Sequence, residues 1–140
     1  MSGISESPIF EALKQRLNFL ESRQKLISEN VANATTPNYT PRDLDEQAFV
    51  RQLERNVATP SSFQLARSDA QHLSGAQRSA PTVARIISAP DTEATLDGNR
   101  VVLEDQMFKM NRNRMDFETA IGVYQKALQI VRLAARAPGR

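Results

Sequence analysis

Cysteine is absent from the 140-residue chain, which excludes disulfides, thiolate metal sites, thiol redox chemistry and a cysteine nucleophile. Histidine occurs once, as His72. A metal needs several ligands, and no Glu-x-x-His pair, His-x-x-x-His spacing or glycine-rich phosphate loop accompanies it, so His72 reads as a packing or hydrogen-bonding group. Charge of one sign is also scarce: 18 basic residues against 16 acidic ones leave a net +2, too weak a field to imply nucleic acid or a membrane surface as partner. No run approaches transmembrane length. Met1 to Pro8 carry neither the basic nor the apolar region of a secretory signal, a composition that by itself reads as cytoplasmic. No convergent set of polar groups supports a reaction, so the expectation is a non-enzyme with no catalytic residue, cofactor or metal.

What the chain does have is two heptad seams. Phe10, Leu13, Leu17, Leu20, Ile27, Val31 and Ala34 alternate three and four apart, with Gln24 the one polar break. Ser7 and Pro8 supply a cap and a first helical position, and Pro37 is the expected stop, giving an N-terminal helix over 8–36. The second seam is Leu103, Met107, Met110, Arg114, Phe117, Ile121, Tyr124, Leu128, Val131 and Ala135, again with one polar break, at Arg114. Asp97-Gly98-Asn99 supplies the preceding turn and a cap, Asp105 and Lys109 form an i,i+4 pair, and Pro138-Gly139 stops a C-terminal helix over 99–137. The seams predict a mainly α fold in which the two long helices pair antiparallel, coiled-coil-like, as one discontinuous domain, with Gln24 and Arg114 setting register.

Between them, 37–98 is rich in Ser, Thr, Ala, Gln and Pro and has little periodicity, which predicts a weakly structured centre. Within it Asp43 and Glu46 resemble a capping box, starting a short helix near 43–57 that carries Leu44, Phe49, Val50 and Leu53, and Thr82 to Ile87 reads as a short strand. The carboxylates Asp43, Asp45, Glu46, Glu104 and Asp105 fall at helix starts, where the dipole favours them, so capping explains them better than acid/base work. Lys109, Arg112 and Arg114 form a basic patch without interleaved aromatics, a solvated or subunit-facing surface.

The first helix ends in Asn30-Val31-Ala32-Asn33-Ala34-Thr35-Thr36-Pro37-Asn38-Tyr39. Pro37 fixes its own φ, and Asn38 then sits where a type II turn requires φ > 0, which asparagine tolerates. This stretch resembles the N-terminal signature of the bacterial flagellar axial family, the rod and hook subunits, with Asn38 in place of the family's glycine. The C-terminal heptad helix extends the resemblance to roughly half the chain. Its short length, Arg42-Asp43-Leu44-Asp45 after Tyr39, Arg67-Ser68-Asp69-Ala70-Gln71-His72-Leu73, and Asp97-Gly98-Asn99 with Val102 and Glu104 are similar to the short proximal-rod branch of that family. Pro41 departs from the branch's usual small residue.

The resemblance implies a structural subunit of the basal-body rod, exported without a cleaved signal through the flagellar type III apparatus and polymerised into the proximal rod of the motor's drive shaft. Its implied partners are other copies of itself, neighbouring rod proteins, the rod-to-export-gate adaptor and the export apparatus, with no nucleic acid and no direct membrane insertion. Asn30, Asn33, Thr36, Pro37, Asn38 and Tyr39 are then the candidate assembly turn, the amides satisfying helix-end backbone groups and Tyr39 packing on a neighbour. The rival reading is a cytoplasmic helical export chaperone or coiled-coil adaptor.

Overall fold

The computed structural model describes residues 8–58 and 84–135; His72, with the motif around it, Ser7, Thr82, Val83 and Pro138-Gly139 lie outside them. Helix α1 spans Pro8–Ala32, strand β1 Arg42–Leu44, helix α2 Glu46–Ala58, strand β2 Ile86–Ser88 and helix α3 Leu103–Ala135. Proline is favoured at a helix start because its missing N–H would have no intrahelical partner there, and Glu11 adds negative charge to the positive end of α1. No helix among the described residues is long and apolar enough to cross a membrane.

The two long helices run antiparallel. Near the start of α1, Phe10 meets Tyr124 edge to face at 5.6 Å. In the middle, the Asn113 amide donates to the Leu20 carbonyl at 2.9 Å and to Gln24 at 3.0 Å. Near the end of α1, Asn30 donates to Gln106 at 3.1 Å. Phe10, Leu20 and Ile27 are buried, while Leu13, Leu17, Gln24 and Val31 are half-buried.

α3 presents a different line to α1 from the expected one. Its buried residues are Gln106, Asn113 and Ala120, each one position before Met107, Arg114 and Ile121. Met107 and Leu103 stand exposed at 61% and 46%. Arg114 points to solvent and pairs with Glu118 at 3.0 Å. The cause is chemical: the shorter, neutral amide of Asn113 satisfies its N–H groups on α1, where a guanidinium would be desolvated without a counter-ion, so Asn113 and not Arg114 engages Gln24. Further along, Met110, Phe117, Ile121, Tyr124, Leu128 and Val131 are half-buried.

α1 is apolar on a second face as well, and β1 and α2 pack there. Phe19 stacks on Phe49 of α2, with centroids 4.3 Å apart. Phe19, Leu20, Leu26, Leu44, Phe49 and Ala120 form one buried cluster, to which Leu17, Leu53, Ala84 and Phe117 add partly buried surface. β1 pairs antiparallel with β2, with Arg42 opposite Ser88, Asp43 opposite Ile87 and Leu44 opposite Ile86. Charge reinforces the docking. Arg23 holds both oxygens of Asp43 at 2.9 Å and reaches Glu46 at 3.4 Å, while Arg16 binds Glu46 at 3.1 Å. Burial pulls the Arg23 pKa down, but the hydrogen bonds and charges of Asp43 and Glu46 outweigh it and raise it above the ordinary value.

These contacts revise the start of α2. Asp43 lies in β1, and the cap is Asp45, whose Oδ1 accepts from the Ala48 N–H at 2.9 Å and whose carbonyl accepts from Phe49 at 3.1 Å. Asp43 and Glu46 are taken by Arg23 instead of capping each other, because a bidentate guanidinium is the stronger partner for a half-desolvated carboxylate.

Candidate functional site

At the end of α1 the helix stops at Ala32, short of Pro37, because asparagine side chains take over its last carbonyls. The Asn33 N–H is shared between the carbonyls of Glu29 and Asn30, both at 3.1 Å, and its Nδ2 donates to Glu29 O at 2.8 Å. Nδ2 of Asn99, far along the chain, donates to the carbonyls of Asn33 at 2.9 Å and Thr36 at 2.7 Å. Thr36 Oγ1 donates to Asn33 Oδ1 at 3.2 Å, and Tyr39 N–H closes the turn on Thr36 O at 3.3 Å. Pro37 sits exposed on this turn. Asn38 adopts φ 58°, the left-handed conformation the turn requires.

Opposite it, Gly98 also has positive φ, 78°. A Cβ on Gly98 would strike the Asn38 side chain, so the two tight turns are seated directly on one another. Backbone bonds join them: Asn38 N–H to Asp97 O and Arg100 N–H to Tyr39 O, each at 3.0 Å.

Beneath the turns lies a buried polar network. Asn30, 2% exposed, donates to Arg42 O at 2.8 Å and to Gln106 Oε1 at 3.1 Å. Its Oδ1 accepts from the Arg42 N–H at 3.0 Å and from the Tyr39 hydroxyl at 3.1 Å. Gln106, fully buried, donates onward to Asp91 at 2.8 Å. Asp91 also accepts from the Val102 N–H at 3.0 Å and from Lys109 at 2.7 Å. Asn99 Oδ1 accepts from Val101 N–H at 2.8 Å. Burial pushes the Asp91 carboxyl up, but the hydrogen bonds from Lys109, Val102 and Gln106 and the lysine charge outweigh it and hold its pKa below the ordinary aspartate value. Lys109 therefore pairs with Asp91 across the loop and not with Asp105 one turn away.

This arrangement is a clasp. Five segments, the end of α1, its turn, β1, the loop from Ala89 to Val102 and the start of α3, are tied by three buried amides and one carboxylate. Its side chains are amides, a phenol, the Thr36 hydroxyl and an ion pair, and their hydrogen bonds hold these segments in fixed relation to one another. Of the six turn residues named from sequence, Asn30, Asn33, Thr36 and Tyr39 join the network by their side chains, and Asn38 enters through its backbone and its contact with Gly98. The Tyr39 hydroxyl is spent inward on Asn30. Sequence reasoning missed Asp91 and Gln106, and it gave Asn99 a capping role on the last helix where its Nδ2 instead caps α1. The Asp-Gly-Asn turn was the available signal.

A long antiparallel helix pair, stopped at one end by an asparagine-rich clasp whose turn resembles that of the flagellar axial family, defines a mainly helical protein of the shape of a structural subunit. No family model matches the chain. It is similar to the flagellar basal body rod protein FlgB of Yersinia enterocolitica, 26% identical over 111 residues, covering 79% of this chain and 80% of that protein. It is likewise similar to FlgB of Escherichia coli K12, 27% identical over 109 residues, covering 77% and 78%, and to FlgB of Salmonella typhimurium, 26% over 117 residues, covering 83% and 84%. The agreement among these matches supports the FlgB family for this chain.

Proposed function

We propose that the chain is a structural subunit of the flagellar basal-body rod, passed through the flagellar type III export apparatus and polymerised into the proximal rod. The observation that carries this is similarity to rod proteins over about four-fifths of both chains, with the signature turn at the point where α1 ends. The physics of the free chain agrees with it. The outward face of α3 exposes Phe108 at 70%, Met115 at 67%, Ile130 at 60% and Leu133 at 69%, an apolar surface that calls for neighbours. The assembly turn, on this reading, holds β1 and the loop from Ala89 to Val102 at a set angle to the helix pair and so fixes which faces neighbours meet. The neighbours are other copies, adjoining rod proteins and the adaptor at the export gate, and no catalysis is involved.

The test is replacement of the natural gene by an epitope-tagged copy, followed by isolation of basal bodies. The reading predicts tagged chain in the rod fraction and loss of motility on deletion. Tagged chain confined to the cytoplasm as a discrete dimer would instead fit an export chaperone or adaptor.

A further inference from the structure

Leu96 stands wholly in solvent at the tip of a firmly held turn. Thr95 N–H donates to Asn99 O at 2.8 Å, Gly98 N–H donates to Thr95 O at 2.9 Å, and Asp97 O accepts from the Asn38 N–H at 3.0 Å. The tip is thus fixed to the clasp while its leucine projects bare, a knob without a socket. Exposed Glu93 and Asp97 flank it, with Arg100 the one exposed cation in the turn, so the rim of the knob is net negative.

The middle of α3 carries a hole. Thr119, Gly122, Val123 and Lys126 are all exposed, on the side of the helix away from the buried Gln106, Asn113 and Ala120. Their spacing, i, i+3, i+4 and i+7, is that of the four residues that receive one knob in a coiled coil, where leucine is a customary knob. Glycine weakens a helix interior, and a Cβ on Gly122 would meet nothing within 4 Å, so no contact inside the chain accounts for it. The Thr119 hydroxyl donates to the Met115 carbonyl at 2.8 Å and needs no outside partner. The acids nearby are engaged within the chain, Glu118 by Arg114 at 3.0 Å and Asp116 by Arg16 at 3.9 Å. Lys126, and Arg112 two turns before the hole, have no ion pair among the described residues, so the rim of the hole is net positive, opposite in sign to the knob.

We propose that Leu96 of one copy seats in the hole formed by Thr119, Gly122, Val123 and Lys126 on α3 of a second copy, with Lys126 meeting the carboxylates of Glu93 and Asp97. Within one chain the two cannot meet, because the knob is tied to the clasp at the start of α3 and the hole opens roughly 30 Å further along that helix. The contact is therefore heterologous, and each copy that receives a knob offers its own, so repetition propagates an open helical array and does not close a pair. The proposal rests on the rod-subunit reading and adds to it the surfaces that meet.

The absence of cysteine makes the test direct. Ala94→Cys beside the knob and Met115→Cys beside the hole, both at exposed positions, are introduced in separate chains, produced together in place of the natural chain, and treated with a short bismaleimide in isolated basal bodies. The expected product is the mixed dimer in excess of either homodimer. Leu96→Ser removes the knob and Gly122→Leu fills the hole, and neither disturbs a contact within the chain. Each should leave the isolated protein melting no lower than before, Gly122→Leu higher because leucine is the better helix former, while lowering recovery in basal bodies on the order of tenfold, the loss expected for an interface anchor. Chain present in basal bodies without the mixed dimer, or Gly122→Leu recovered there as fully as the natural chain, would overturn the contact while leaving the rod reading intact. Natural chain absent from basal bodies would overturn both.

Discussion

Asn38 and Gly98 carry the two left-handed backbones of the clasp, and each limits the other. Gly98→Ala adds a Cβ where the Asn38 side chain already sits, on a backbone that L-residues avoid. It should cost about 1–2 kcal/mol in urea unfolding, and an unchanged midpoint would show that the two turns are not seated together. Asp91 sets the response to acid. Its folded pKa is depressed, so its stabilisation is present above the ordinary aspartate value and is lost as pH falls through the lower, folded-state pKa. Asp91→Asn should therefore lower stability at neutral pH by about 1–3 kcal/mol and flatten the acid limb of the stability curve; parallel limbs for the two proteins would contradict the assignment. The positive φ of Asn38 was readable because proline and asparagine state their backbone needs locally. The partners of Asn30 were not, because Gln106 lies 76 residues away and a polar side chain in a sequence does not announce burial.

At the scale of the elements, heptad periodicity gave the existence and antiparallel pairing of α1 and α3 but misplaced the contact line on α3. A 33-residue helix with apolar groups all round offers several stripes, and hydrophobicity alone favours Met107 over Gln106. Hydrogen bonding decides otherwise, since Gln106 and Asn113 each reach groups on α1 that apolar side chains would leave unpaired. Asn113 also leaves its own Oδ1 without a partner among the described residues, a cost of about 1–3 kcal/mol that marks it as a register device. Asn113→Leu removes that orphaned oxygen but leaves Gln24 Oε1 without its donor, so thermal stability should change by less than about 1 kcal/mol while the alignment that brings Phe10 onto Tyr124 loosens, seen as weakened ring-to-ring NMR contacts. Unchanged ring contacts would mean that the amide does not set the register. The second face of α1 was overlooked for a related reason: Phe19 and Leu26 lie off the heptad seam, and only the folding back of β1 and α2 shows what they bury.

Over the whole molecule, the polar and apolar devices divide the labour. The clasp and the arginine pairs Arg23–Asp43 and Arg16–Glu46 fix β1 and α2 on the helix pair, and much of the exposed apolar surface among the described residues lies on α3. A subunit with this distribution gains burial on assembly, because each neighbour removes from water surface that the free chain leaves wet. The measurement that bears most directly on this is hydroxyl-radical footprinting of the free chain and of the same chain within isolated basal bodies. Phe108 and Met115, wide open in the free chain, are predicted to label strongly there and to be protected in the rod, while buried Phe19 stays protected in both. Equal labelling of Phe108 and Met115 in the two states would contradict the account, because the outer face of α3 would then remain in water after assembly.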